Sequence, residues 1–231
     1  MMSRSSEIQV MSSSAMKAAY LELVPGFERV TGHRVVTHWI PGVDLMRRVK
    51  DGEVSDIVIM QRSSIEELIA LGRIAPGSRV DLARSGVGVA VKAGAEKPDI
   101  SSGVALKRAL LAAKAVGFST GPSGVYILQL FERLGIADHL KGKVKQIKGE
   151  PVAAVVARGE ADIGFQQISE LLPVPGIDLV GPLPPDIQQI TIFSAGVNVA
   201  AHEPEAAQAL IRFIKAPDAA PVLKKSGLEP A

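Results

Sequence analysis

The chain has 231 residues, is 47% apolar with only 4% aromatic residues, and carries a formal net charge of +2. That is length enough for one large domain or two small ones, and a charge too weak and too evenly spread to suggest nucleic acid as a partner. With no cysteine, disulfides, thiolate chemistry and cysteine-based zinc sites are excluded.

Ile8-Gln9-Val10-Met11 reads as a short strand that runs straight into Ser12, Ser13 and Ser14. Met16, Ala19, Tyr20, Leu23, Phe27 and Val30 then recur at helical spacing, with Pro25 expected to bend or restart the helix and Gly32 to end it as a left-handed cap. RVVTHW is a second strand, GVDLMRRVKDG a short helix stopped by Gly52, and DIVIM a third strand, apolar throughout and so expected to be covered on both faces. Ser63-Ser64-Ile65-Glu66 has capping-box spacing and predicts the start of a helix closed by Gly72. GVGVAVKAG is a further strand.

Past GAEKPDISSG the pattern restarts. A helix over about 102–113 leads to the strand AVGFS, the loop TGPSG, and a helix closed by Gly135. KVKQI, inside the lysine-rich run KGKVKQIK, predicts a solvated edge strand. PVAAVVARG is a helix and ADIGFQ a strand, and DLVGPLPPDIQ reads as a proline-rich crossing segment. QITIFSAGVNVA is a long strand, and two short helices broken at Pro217 close the chain. The alternation predicts an α/β protein of two lobes, 1–90 with 190–231 and 91–189, each a mostly parallel sheet flanked by helices and joined by two crossover strands.

In open α/β sheets, ligands bind beyond the carboxyl ends of the strands, where helix N-termini offer free N–H groups. Ser12, Ser13 and Ser14 stand at such a point, with one serine expected to cap the helix and the others free for an oxyanion. FSTGPSGVY repeats the arrangement in the second half, with Ser123 at a helix start and Gly121 and Gly124 allowing close approach; without G-K-[ST] it is not a P-loop. Four scattered histidines (His33, His38, His139, His202) form no H-x-x-x-H pair, so neither a metal nor a cofactor is expected. No apolar run approaches the roughly 20 residues of a membrane span. The opening MMSRSSEIQV lacks the apolar core of a secretory signal, which predicts a cytoplasmic protein, or a periplasmic one if a signal has been trimmed.

The stretches VMSSSAMKAAYLELVPGFERVTGHRVV, SDIVIMQRSSIEELIALGRI, PSGVYILQLFERLGI and RGEADIGFQQISEL, in this order, resemble the molybdate-binding branch of the type 2 periplasmic solute-binding proteins over nearly the whole chain. The resemblance implies a two-lobed cleft that closes on a small anion. Carried over, the ligand contacts fall on Ser13 or Ser14, on the stretch around Pro41-Gly42-Val43, on Ser123 and Gly124, on Pro151-Val152, and on Gln166 or Gln167. Two departures matter: the second loop, THWIPGVDL, has no serine, and GFQQ offers glutamines where the family commonly has a tyrosine. His38, Arg47, Arg48 and Arg62 lie near the same loops, and guanidinium forks suit carboxylates, so an organic carboxylate is favoured over molybdate.

Two functions fit this resemblance. One is a solute-binding protein, partnered by an ABC importer permease if exported. The other is an enzyme, because aconitate isomerases are similar to this branch; allylic isomerisation needs a positioned base, and His38, Glu150 and Asp44 are the candidates near the expected loops.

Overall fold

The computed structural model describes residues 5–231, in two compact units: one runs to Arg84 and resumes over Ile192–Ala231, and the other is Ser85–Thr191. In chain order the first unit opens with β1 (Glu7–Ser12), a single 3-10 turn (Ser14–Met16) and α1 (Lys17–Thr31), then β2 (Arg34–Trp39), α2 (Gly42–Lys50), β3 (Ile57–Gln61) and α3 (Arg62–Ala70). β4 (Val80–Lys92) carries the chain into the second unit. There follow α4 (Gly103–Ala112), β5 (Val116–Ser119), α5 (Pro122–Arg133), α6 (Ala137–Leu140), β6 (Val144–Ile147), α7 (Val152–Ala157), β7 (Ile163–Gln167), α8 (Ile168–Leu171) and β8 (Ile177–Pro182). β9 (Ile190–Val197) returns to the first unit, which α9 (Pro204–Lys215), α10 (Ala220–Lys225) and β10 (Glu229–Pro230) complete.

Each unit is built on a run of three parallel strands. In the first, β1 lies between β2 and β3, and β9 joins β3 antiparallel. Ile57, Val58, Ile59 and Met60 are all buried, as an apolar run covered on both faces should be. In the second, β5 lies between β6 and β7, and β4 and β8 add antiparallel strands, β4 beside β7 and β8 beside β4. β6 ends the parallel run with β5 as its partner, in line with Lys145 and the lysines that flank it.

Three local expectations are corrected. Pro25 does not break α1: the helix runs through it because Leu23, Val24 and Phe27 lie on a buried face that outweighs one missing N–H. No capping box forms at Ser63. α3 starts directly after Gln61, whose side chain donates to Ser64 Oγ (3.0 Å), and burial of Ile65 and Leu68 sets the helix in place. The proline-rich segment contains a strand, β8, held to β4 with a register shift at Val89/Ala90. The glycine cap at Gly32 stands, with φ 75°.

The first unit has two apolar clusters. One packs α1, α9 and α10 against one face of the sheet through Tyr20, Phe27, Leu210, Ile214 and Leu223; the other packs α2 and α3 against the opposite face through Leu45, Val49, Ile65 and Leu68. In the second unit the main cluster centres on Phe118, Ile127, Phe131 and Phe165.

Buried Asp56, just before β3, ties the first unit together. One carboxylate oxygen accepts the amides of His202 and Glu203 at the head of α9 (2.8 and 2.9 Å), and the other accepts Gln9 N–H of β1 (2.7 Å). Asp56→Ala leaves three amides without that acceptor. It should destabilise the protein by about 3 kcal/mol or more, a melting-temperature fall of roughly 6–12 °C, with Asp56→Asn intermediate; thermal unfolding followed by circular dichroism checks this.

Candidate functional site

In each unit the carboxyl ends of three adjacent parallel strands gather polar residues along one edge. In the first unit these are Ser12-Ser13-Ser14 after β1, His38 to Gly42 around the end of β2, and Gln61-Arg62 after β3. Ser12 is buried and its hydroxyl donates to Ser13 C=O (2.9 Å). Ser13 N–H donates to Ile59 C=O (2.9 Å), which pins the turn to β3. No serine side chain caps the helix, contrary to expectation, because the chain enters α1 through the 3-10 turn. Ser14 is exposed, and Ser13 Oγ is buried with no hydrogen-bond partner.

The other first-unit candidates stand differently. His38 is exposed, whereas its neighbour Trp39 packs on the core and meets Tyr20 edge-on (5.4 Å between ring centres). Gly42 opens α2 and has nothing within 4 Å of where a Cβ would sit. Arg47 pairs with Asp44 (3.2 Å), and Arg48 pairs with Glu53 through two hydrogen bonds. Arg62 donates to Glu66 (3.0 Å) and lies 3.5 Å from Asp81, which also accepts the hydroxyl of buried Ser194 (2.7 Å). Each of these three arginines therefore already has an acidic partner.

In the second unit, Ser119 ends β5 and its hydroxyl lies 3.2 Å from that of buried Ser123 and accepts Gly121 N–H (3.2 Å). A Cβ on Gly124 would sit 1.6 Å from Ser119 C=O, so only glycine lets the first turn of α5 close onto the strand end. Gly124 N–H donates to Gly121 C=O (3.0 Å). At the start of α7, Val152 N–H donates to Gln166 Oε1 (3.0 Å).

Gln166 and Gln167 are both buried. Gln167 Nε2 is 3.0 Å from Thr191 Oγ1, and its Oε1 has no partner. Because a threonine hydroxyl can donate as well as accept, the amide can present either its oxygen or its NH2 group. Among the described residues, Ser13 Oγ and Gln167 Oε1 are the two buried side-chain polar atoms without a partner. One stands on each edge, and buried polar atoms left unpaired are rare enough to need a reason.

Two carboxylates at the second edge contrast sharply. Glu150 is exposed and gripped by Arg158 through two hydrogen bonds (2.9 and 3.0 Å), which hold it below the usual carboxylate range. That is the wrong direction for a base. Glu170, in α8 just past Gln167, is partly buried. Burial pushes its carboxyl up to about 7, against the smaller opposing pull of Gln166. Spacing gave no sign of Glu170 or Thr191; the only local hint was an acid three residues past two glutamines at a strand end. Among the described residues no group of three or more His, Asp or Glu could hold a metal ion, and no helix is long and apolar enough to cross a membrane.

Comparison with known proteins places these edges in context. The family model described as bacterial extracellular solute-binding protein matches residues 8–229. Aconitate isomerase of a Pseudomonas species is 40% identical over 229 residues, covering 96% of this chain and 87% of that protein. The molybdate-binding protein ModA of Azotobacter vinelandii is 28% identical, covering 97% and 90%. A solved periplasmic molybdate-binding protein of Azotobacter vinelandii has a TM-score of 0.81 at 20% identity, covering 97% and 99%, and shares the fold.

A carboxyl raised in the folded state opposes folding once it ionises. The penalty is absent below about pH 4, grows through the interval up to about 7, and is complete above it. Glu170→Gln should therefore leave the melting temperature unchanged near pH 4 and raise stability by on the order of 1–3 kcal/mol near pH 8, which paired thermal melts at the two pH values measure.

Proposed function

The chain belongs to the bacterial extracellular solute-binding protein family, and within that family we propose that it binds an unsaturated tricarboxylate of the aconitate class and shifts its double bond. The observation that carries this reading is 40% identity to an aconitate isomerase along nearly the whole of both chains, against 28% to a molybdate binder.

The chemistry at the strand ends is compatible with such a ligand. Ionised carboxylates need donors, and a hydroxyl at Ser13, the Ser119–Ser123 pair and the amide of Gln167 are groups that can supply them. Arg62, in the first unit, holds Glu66 and Asp81 and has further N–H donors for a carboxylate. In the reaction a base takes a proton from the CH2 group beside a carboxylate. The C–H electron pair becomes the new C=C bond, the old π pair moves to the far carbon, and a proton returns there. Atoms and charge balance without a cofactor.

A second reading is a solute-binding protein that performs no chemistry and hands an anion to an ABC importer permease. The family's description and the molybdate-binding relative favour it. One pair of experiments separates the two. Melting temperature is measured with cis- and trans-aconitate, citrate, sulfate and molybdate, and the aconitate samples are then followed by proton NMR. A ligand that binds only the folded protein raises the melting temperature. The isomerase reading expects a rise with aconitate and interconversion of its vinyl resonances. A rise with aconitate and static spectra supports the binder; a rise with molybdate alone overturns the carboxylate assignment.

Ser13→Ala tests the first edge. It removes an unpaired buried hydroxyl, so the ligand-free protein should melt at the same temperature or higher, while aconitate binding weakens by about 1–2 kcal/mol, as measured by calorimetric titration.

A further inference from the structure

We propose that Lys17 recognises the charge of the ligand at the first edge, taking one of its carboxylates on an ammonium that Trp39 holds in place; the inference rests on the carboxylate ligand proposed above. Lys17 opens α1, directly after the turn that carries Ser13 and Ser14. Its Nζ lies 5.5 Å from the centre of the Trp39 ring. Trp39 is the last residue of β2 and stands opposite Ser12 in the register of β1 and β2. The contact therefore sets the ammonium at the carboxyl ends of these two strands. Ser13 Oγ, buried without a partner, and exposed Ser14 belong to the same edge.

Trp39 is itself fixed from below. Its ring meets that of buried Tyr20 edge-on, at 89°, and the Tyr20 hydroxyl shares a hydrogen bond with Thr37 Oγ1 (2.9 Å). Both rings pack in the apolar cluster of the first unit. A ring face attracts an ammonium but brings no compensating charge, and it covers only one side of a group with three N–H donors. The arginines at this edge are placed differently: Arg47 pairs with Asp44, Arg48 with Glu53, and Arg62 with Glu66 and Asp81. Lys17 is exposed and makes no ion pair among the described residues. Its charge is thus positioned without being cancelled. An ammonium of that kind beside a hydroxyl with its hydrogen unshared suits an ionised carboxylate, and binding through it weakens as salt is added.

Trp39 is the one tryptophan of the chain, so its emission reports on this spot directly. The test titrates wild type, Lys17→Met and Lys17→Arg with trans-aconitate, by tryptophan emission and by calorimetry, at low and high salt. Methionine keeps a flexible apolar stem against the ring and removes the charge; arginine keeps the charge and stacks on the ring. Wild type should show a saturable change in emission with the Kd that calorimetry gives, and weaker binding at high salt. Lys17→Met should bind about tenfold more weakly with a shallower salt dependence, and its ligand-free melting temperature should stay within about 4 °C of wild type. Lys17→Arg should stay within about threefold of wild-type affinity. Aconitate binding that leaves Trp39 emission unchanged, or Lys17→Met within about twofold of wild type at low salt, overturns the proposal and leaves the carboxylate reading standing. Wild type that binds no aconitate by calorimetry overturns both, and does so without reference to any variant.

Discussion

A single carboxylate sets the terms for the first unit. Asp56 accepts one amide from β1 and two from the head of α9, so residues near both ends of the chain converge on it. Its own main chain adds two further ties, Asp56 N–H to Gln9 C=O (2.8 Å) and Asn198 N–H to Asp56 C=O (3.1 Å). A buried charge needs this number of oriented donors to be tolerated, and two of them belong to a helix start, where the peptide dipoles favour a negative partner. β1 and β3 are thereby held in register, and the serine turn that follows β1 takes its place beside the end of β3.

The strand-end edges divide into groups already occupied and groups still open. The hydroxyl of Ser12, the hydroxyls of Ser119 and Ser123, and the amide of Val152 all have partners within the protein. Ser13 Oγ and one end of the Gln167 amide do not. Paired groups set the local geometry, and in the Ser119–Ser123 pair one hydroxyl hydrogen remains beyond the bond they share. The arginines are likewise paired, each guanidinium with an acid of its own unit.

Much of the fold was legible because its signals are local. Apolar runs of strand length alternate with helical spacing, and glycines close the helices: Gly32, Gly52, Gly72 and Gly135 all have positive φ. The errors arose where tertiary burial overrode a local rule, at Pro25 inside a helix with a buried face and at Ser63, where the buried positions and not the cap set the helix start. At the edges, the three serines stood out by following a strand, and Gln166 and Gln167 through the family resemblance. Glu170 did not, because what distinguishes it is burial by the folded chain, which no local spacing announces. Glu150 stood out in the sequence by preceding a helix, yet Arg158, eight residues away across that helix, alters its chemistry.

The division of the chain also has a consequence in time. The second unit is one continuous segment, Ser85–Thr191, whose contacts are all available once that segment exists. The first unit is not: β3 lacks its β9 neighbour, and Asp56 lacks two of its donors 146 and 147 residues onward, until Ile192–Ala231 has been made. During synthesis the edge of β3 and part of the apolar face of α1 therefore have no partner until that last segment has been made. Long loops close slowly and exposed strand edges invite wrong partners. Completion of the first unit therefore requires the return of Ile192–Ala231 to the segment that ends at Arg84.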